Sequence, residues 1–273
     1  MGNCKYCGEK AGLLSSAHKE CQEAHRVATT SVVALVESGL RSSDPNSGLK
    51  RGVDELAASG RVKLPEVRDL IVGAMARWID EALSDHVLSE EEEKRLTQFT
   101  EIFNIEIEDL DRLGYRKKLV KGLILRDLSE GRIPKRFTLT GSTMPISLAK
   151  GETMIFGFDD VEGHKVHTRS HYVGGTRGAS IRVMRGVYLR SSGFRGERVQ
   201  TNELQSIGKG YLIVTTKHVF FYGSEIVRIP LKKIVGVQPY ADGIGIFREG
   251  QNAKPMFFNI NDPFYAANLP ATA

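Results

Sequence analysis

Cysteine is scarce in this 273-residue chain: there are three, all between Cys4 and Cys21, and none remains elsewhere to act as a nucleophile or to cross-link the rest. An odd set confined to one short stretch argues against a disulfide framework and for reduced thiols that ligate a metal. Long apolar runs are also missing. Nothing approaches the roughly 20 residues needed to cross a bilayer, and the N-terminus lacks the charged-then-apolar order of a signal peptide. These absences predict a soluble cytoplasmic protein, with contact at a membrane surface left open. No G-x-S-x-G, H-E-x-x-H or Walker-type string occurs. The expectation is a non-enzymatic protein, an enzyme of unrecognised type being the outlying alternative.

What the chain does have is concentrated in modules, as its length, beyond the usual single-domain size, suggests. Cys4 and Cys7 form C-x2-C; after ten intervening residues His18 and Cys21 form H-x2-C. Ordering so short a segment costs roughly 1–2 kcal/mol per residue, which Leu13 and Leu14 cannot offset at roughly 1.5–3 kcal/mol each. A structural Zn2+, bound with about 10–16 kcal/mol in small finger peptides, would. The spacing therefore predicts a zinc ribbon over residues 1–25. Its ligands would be Cys4, Cys7, His18 and Cys21, with His25 competing for the place of His18. Four protein ligands leave no open position for catalysis.

From residue 26 to 137 the apolar spacing is helical. Val27, Val32, Val33, Leu35 and Val36 open the pattern; Leu56, Val67, Leu70, Ile71, Ala74, Met75, Trp78 and Leu83 continue it after an Asp44-Pro45-Asn46 break. Ser89 followed by Glu90, Glu91 and Glu92 reads as a capping box at a helix start. The stretch from Ala82 to Glu93, with Asp85-His86 and Ser89-Glu90, resembles the central turn of the TerB-like tellurite-resistance helical domains, which usually carry Asp-Gly there. That resemblance implies a helical bundle associated with metal binding and with membrane-linked bacterial stress or defence systems.

From residue 138 to 273 the pattern changes to short strands. Ile181, Val183, Val187 and Leu189, alternating with Arg182, Met184, Tyr188 and Arg190, predict a strand. Tyr211–Thr215 and His218–Tyr222 flank a Thr216-Lys217 turn as a hairpin. Four further strands are expected at 226–229, 234–237, 244–248 and 255–260, and Asp262-Pro263 predicts a closing helix. The phrases Gly210-Tyr211-Leu212-Ile213-Val214-Thr215-Thr216-Lys217-His218-Val219 and Ile229-Pro230-Leu231-Lys232-Lys233-Ile234 resemble bacterial PH-like and GRAM-like domains. The fold class expected is thus multidomain α+β: a zinc ribbon, an all-helical bundle and a small antiparallel β-barrel closed by a short C-terminal helix.

Charge singles out the last module. Residues 138–273 hold 16 basic against 10 acidic side chains, and the rest of the chain is close to neutral. Lys165, Arg169, Arg177, Arg182, Arg185, Arg190, Arg195 and Arg198 face one acid, Glu197, in the same stretch. They are the candidates for an anionic ligand. The function expected is an adaptor or sensor that meets a protein partner or an anionic membrane surface through the PH-like module. The alternative is a nucleic-acid-binding regulator that uses the ribbon and the basic face. His164, His167 and His171, spaced three and four apart, would make a metal face on a helix but not on a strand.

Overall fold

The computed structural model describes residues 2–12, 15–42, 48–134, 147–172, 177–184, 187–193, 198–251 and 253–272. It is a mixed α+β protein with seven helices and a seven-stranded antiparallel sheet among the described residues. Two compact units divide it, Met1–Leu123 and Ile124–Ala273. The Asp44-Pro45-Asn46 break lies outside the described residues.

The first unit is built on α1 (Lys19–Arg41), α2 (Gly48–Ser59), α3 (Leu64–Ala82), α4 (Glu90–Phe103) and α5 (Ile107–Asp111), with the start of α6 (Tyr115–Ser129). Residues four apart lie on one helix face, and the buried set follows that rule: Ala28, Val32, Val36 and Leu40 on α1, then Leu49, Val53 and Ala57 on α2. α3 is buried more broadly, through Val67, Ile71, Val72, Ala74, Met75, Ala76, Trp78 and Ile79. Phe99 of α4 and Leu110 of α5 complete the core. The expected capping box is present: Ser89 accepts from the Glu92 amide, and Glu92 accepts from the Ser89 amide at 2.9 Å. His86 has φ +68°, a left-handed conformation that glycine adopts without strain.

The α2–α3 turn sits directly on α1. Gly60 belongs to it, and a Cβ there would lie 2.2 Å from the Ala28 Cβ and 3.0 Å from the Ala24 carbonyl oxygen. Gly60→Ala is therefore expected to destabilise the helical unit by about 1–3 kcal/mol, the usual cost of overpacking. Denaturant unfolding followed by the fluorescence of Trp78, the chain's single tryptophan and a member of this core, measures it.

In the second unit the strands are β1 (Met154–Tyr172), β2 (Arg177–Met184), β3 (Val187–Gly193), β4 (Arg198–Thr215), β5 (His218–Tyr222), β6 (Ile226–Pro230), β7 (Ile234–Tyr240), β8 (Gly243–Arg248) and β9 (Met256–Asn259). The sheet order is β6-β5-β4-β1-β9-β8-β7, with β2 and β3 paired apart. The hairpin around Thr216-Lys217 forms as expected, with Val214 opposite Val219. The stretch from Ile181 to Leu189, expected as one strand, is instead a reversal: Ile181 pairs with Leu189 and Met184 with Val187. The alternation of apolar residues is the same for a straight strand and for two strands paired back on each other, so it concealed the reversal.

The expected barrel is not closed. β6 and β7 occupy opposite edges of the sheet although one 3-10 turn, Leu231–Lys233, joins them. Six inter-strand steps of about 4.8 Å would put flat edges roughly 29 Å apart. The chain from Pro230 to Ile234 reaches at most about 14 Å, so the sheet must curl strongly. Closure would need a β6–β7 ladder, and the ladders formed do not include one. Pro230 at the end of β6 and Pro239 within β7 both lack the N–H that such a ladder uses.

The closing helix is present as α7 (Pro263–Thr272), with Pro263 in its first turn and the Tyr265 amide donating to Asp262 Oδ1 at 3.2 Å. α7 rests on β7 and β8. Its Tyr265 ring meets Phe156 and Phe158 of β1 edge-on, at 5.0 and 5.9 Å. The core beside it contains Phe221 and Phe258, whose rings are 5.3 Å apart. Gly163 makes room for Phe221, since a Cβ at that position would lie 2.8 Å from its ring.

Candidate metal centre and basic arm

The first metal-binding arm is a small hairpin. Asn3 bridges Lys10, Cys4 N–H donates to the Glu9 carbonyl at 2.7 Å, and Gly8 N–H donates back to Cys4 at 2.9 Å. Gly8 turns the chain with φ +79°, which leaves Cys4 and Cys7 on the same tight loop. The second arm is the start of α1. His18 is its N-cap residue, in extended conformation, and Cys21 lies in the first turn. Lys5 N–H donating to Ser16 at 2.9 Å ties the arms together.

The four side chains converge. One ligand atom from each of Cys4, Cys7, His18 and Cys21 lies within 4.8 Å of all the others. His18 Nδ1 is 3.4 Å from Cys7 Sγ and 3.8 Å from Cys21 Sγ. With Zn–S near 2.3 Å and Zn–N near 2.0–2.1 Å, a tetrahedral centre places its ligand atoms roughly 3.5–3.8 Å apart, so the set fits zinc. The tautomer fits too. His18 Nε2 is 3.1 Å from the Lys10 carbonyl, which can only accept; the proton therefore sits on Nε2 and the Nδ1 lone pair is left for the metal.

Thiolate chemistry is supported locally. Cys4 is buried, which disfavours its charged form, but amides of Cys7, His18 and Tyr6 aimed at its sulfur outweigh this and bring its pKa down to about 6. Cys21 is shifted up, by burial and then by the neighbouring Cys7 and Cys4, as expected for thiols crowded together. All three cysteines are free. His25, the rival ligand, is committed elsewhere: its Nε2 is 3.2 Å from Glu66 Oε2 and its ring lies 4.5 Å from that of Tyr6.

The basic candidates fall on a different feature. β1 pairs with β9 only as far as Lys165, whereas β1 and β4 stay paired out to Tyr172 and Arg198. The strands thus continue past the sheet as a two-stranded ribbon, anchored where Val166 packs with Phe257. Arg169 stands opposite Thr201, Arg198 opposite Tyr172, Arg177 opposite Gly193, Arg182 opposite Tyr188 and Arg190 opposite Ser180. Arg185 and Arg195 lie outside the described residues. Lys165 is paired, its ammonium 2.6 Å from Glu225. His164, His167 and His171 are on a strand, and His164 occupies the alternate register from the other two. Among the described side chains, His164 and His167 belong to no group able to hold a metal.

No protein-family model, curated protein or solved structure matches this chain. The TerB-like and PH-like resemblances accordingly rest on their motifs and on the order of elements.

One cluster carried no sequence signal. Glu152 is buried ahead of β1; its Oε1 accepts from Thr215 Oγ1 at 2.5 Å and from His218 Nδ1 at 2.8 Å, and its Oε2 from the Ala149 amide at 2.9 Å. Burial opposes its charge, but these donors prevail and lower its pKa to about 2. A carboxylate, an imidazole and a hydroxyl in contact suggest catalysis. Thr215 is fully buried, however, so no substrate reaches it, and the cluster works as a clasp on the β4–β5 hairpin. Thr215 and His218 flank the visible turn, whereas Glu152, far earlier in the chain, had nothing to link it to them.

Proposed function

We propose that this chain is a non-enzymatic adaptor or sensor in which a zinc-stapled, TerB-like helical module is joined to a PH-like module that docks on an anionic membrane surface. The modules of this reading are residues 1–25, 26–137 and 138–273. The bacterial stress or defence setting comes from the resemblance alone.

The observation that carries it is the basic ribbon. Lys165, His167, Arg169 and His171 occupy alternate positions of β1, and Arg182 and Arg190 belong to cross-strand pairs of β2 and β3. Alternate residues of a strand share a face, so this run places Arg169 and the two histidines along one side of the ribbon with Lys165, which already pairs with Glu225, and with Glu203 opposite His167. The PH-like reading is supported by the sheet order, in which β6-β5-β4-β1 and β9-β8-β7 form two antiparallel runs followed by α7. No described helix is long and apolar enough to cross a membrane, so contact through a surface is the form that this reading requires.

Cosedimentation tests it, with vesicles of phosphatidylcholine alone compared with vesicles also containing phosphatidylserine. Binding is expected only with the anionic vesicles and should weaken as salt shortens the screening length. A Lys or Arg near such a surface contributes about 1 kcal/mol. Arg182→Gln with Arg190→Gln should therefore weaken binding roughly 30-fold. Equal sedimentation with both vesicle types would overturn the proposal, and a mobility shift with DNA or RNA in its place would favour the nucleic-acid alternative.

A further inference from the structure

The metal centre has a neighbour in the helical core that its ligand spacing does not reveal. Arg61 Nη1 lies 3.4 Å from Cys21 Sγ. Arg61 is 40 residues away in sequence, in the turn between α2 and α3, and its backbone is left-handed, with φ +53°. That conformation is uncommon for a residue with a Cβ. The turn is pinned by Val62 N–H donating to Ala57 at 2.9 Å and by the close approach of Gly60 to Ala24 and Ala28 of α1. One turn further along α1, His25 meets Glu66 of α3. The start of α1 is therefore gripped at two successive levels, Cys21 by Arg61 of the α2–α3 turn and His25 by Glu66 of α3.

Charge gives Arg61 a reason to be there. Three thiolates, one neutral imidazole and a dication leave one net negative charge on the centre, and a guanidinium donates well to such an acceptor. We infer that Arg61 is a positioning residue for the metal centre: it neutralises the thiolate-rich site through Cys21 and makes metal retention depend on the α2–α3 turn of the helical unit. This rests on the zinc reading of the four ligands.

The test uses the full-length chain, with Zn2+ retention read by competition against a chromogenic chelator and Co2+ substitution read by the thiolate-to-cobalt charge-transfer band. Arg61→Gly removes the guanidinium while suiting a left-handed backbone, and Arg61→Asn is a second neutral variant that tolerates it. Both are expected to hold Zn2+ about 10-fold more weakly, in line with losses of outer contacts at other metal sites, and to shift the charge-transfer band. Arg61→Lys, which restores a cation, should recover part of the loss. Wild-type affinity and an unchanged band in both neutral variants would overturn the inference. A wild-type chain that shows no thiolate-to-cobalt band would instead sink the zinc reading itself.

Discussion

Cys21→Ser is expected to release the metal and to weaken the helical unit beyond the loss of the segment that precedes α1. Apparent zinc binding of about 10–16 kcal/mol in small finger peptides is as large as the whole stability of a typical domain. Without it, the short hairpin around Cys4 to Gly8 has little apolar burial of its own, Cys4 and Ala11 being its buried members. The damage should travel further because Cys21 and His25 lie on the same helix as Ala28, Val32 and Val36. Losing the Arg61 and Glu66 contacts frees the first turns of α1 from the α2–α3 turn and from the start of α3. A cost of about 2–3 kcal/mol to the rest of the unit would lower its melting temperature by roughly 10 °C. Trp78 fluorescence reads the helical core, and hydrogen exchange should show protection lost up to about His25 but kept near Val36. The sheet unit should melt unchanged. An unaltered Trp78 transition in a metal-free variant would show the ribbon to be an appendage.

The second large effect is expected at Glu152. Glu152→Ala strips the partner from the Thr215 hydroxyl, from His218 Nδ1 and from the Ala149 amide. Breaking one side of a buried polar cluster typically costs about 3–5 kcal/mol, which should fall on the sheet unit and leave the Trp78 signal intact. The pH dependence has a definite sign. With its folded pKa lowered from 4.5 to about 2, Glu152 adds stability that is fully present above pH 4.5 and is lost as pH falls toward 2. Glu152→Gln should remove that part of the acid sensitivity. Denaturant titrations between pH 5 and pH 2 on both proteins, read by far-ultraviolet circular dichroism, make the comparison. Parallel curves for wild type and variant would rule out Glu152 as the source.

Much of this architecture is legible because its causes are local. C-x2-C and H-x2-C fit one tight turn and one helical turn, so the four ligands from Cys4 to Cys21 can be read from spacing alone. The Ser89 capping box, the turn at Thr216-Lys217 and the Asp262-Pro263 helix start are equally short in range, and all three form. Expectation and structure differ where one local pattern admits two structures. Alternation from Ile181 to Leu189 is the same whether the chain runs straight or reverses, and only the Ile181–Leu189 pairing distinguishes them. Barrel closure depends on whether the two outermost strands hydrogen-bond; Pro230 and Pro239 weaken that pairing, but which strands end up outermost is set by the sheet order and not by either strand alone.

By itself, then, the sequence determined the candidate metal-ligating set, the helical and strand-rich halves and the place of the excess positive charge, because each follows from composition or from spacing between near neighbours. Tertiary structure decided what depends on distant parts of the chain meeting. It drew His25 to Glu66 and gathered His18 with the three cysteines, set Arg61 against Cys21, buried Glu152 beneath Thr215 and His218, and extended β1 and β4 into a ribbon. The partners in these contacts lie far apart in the chain and are selected by packing geometry, which no local pattern encodes.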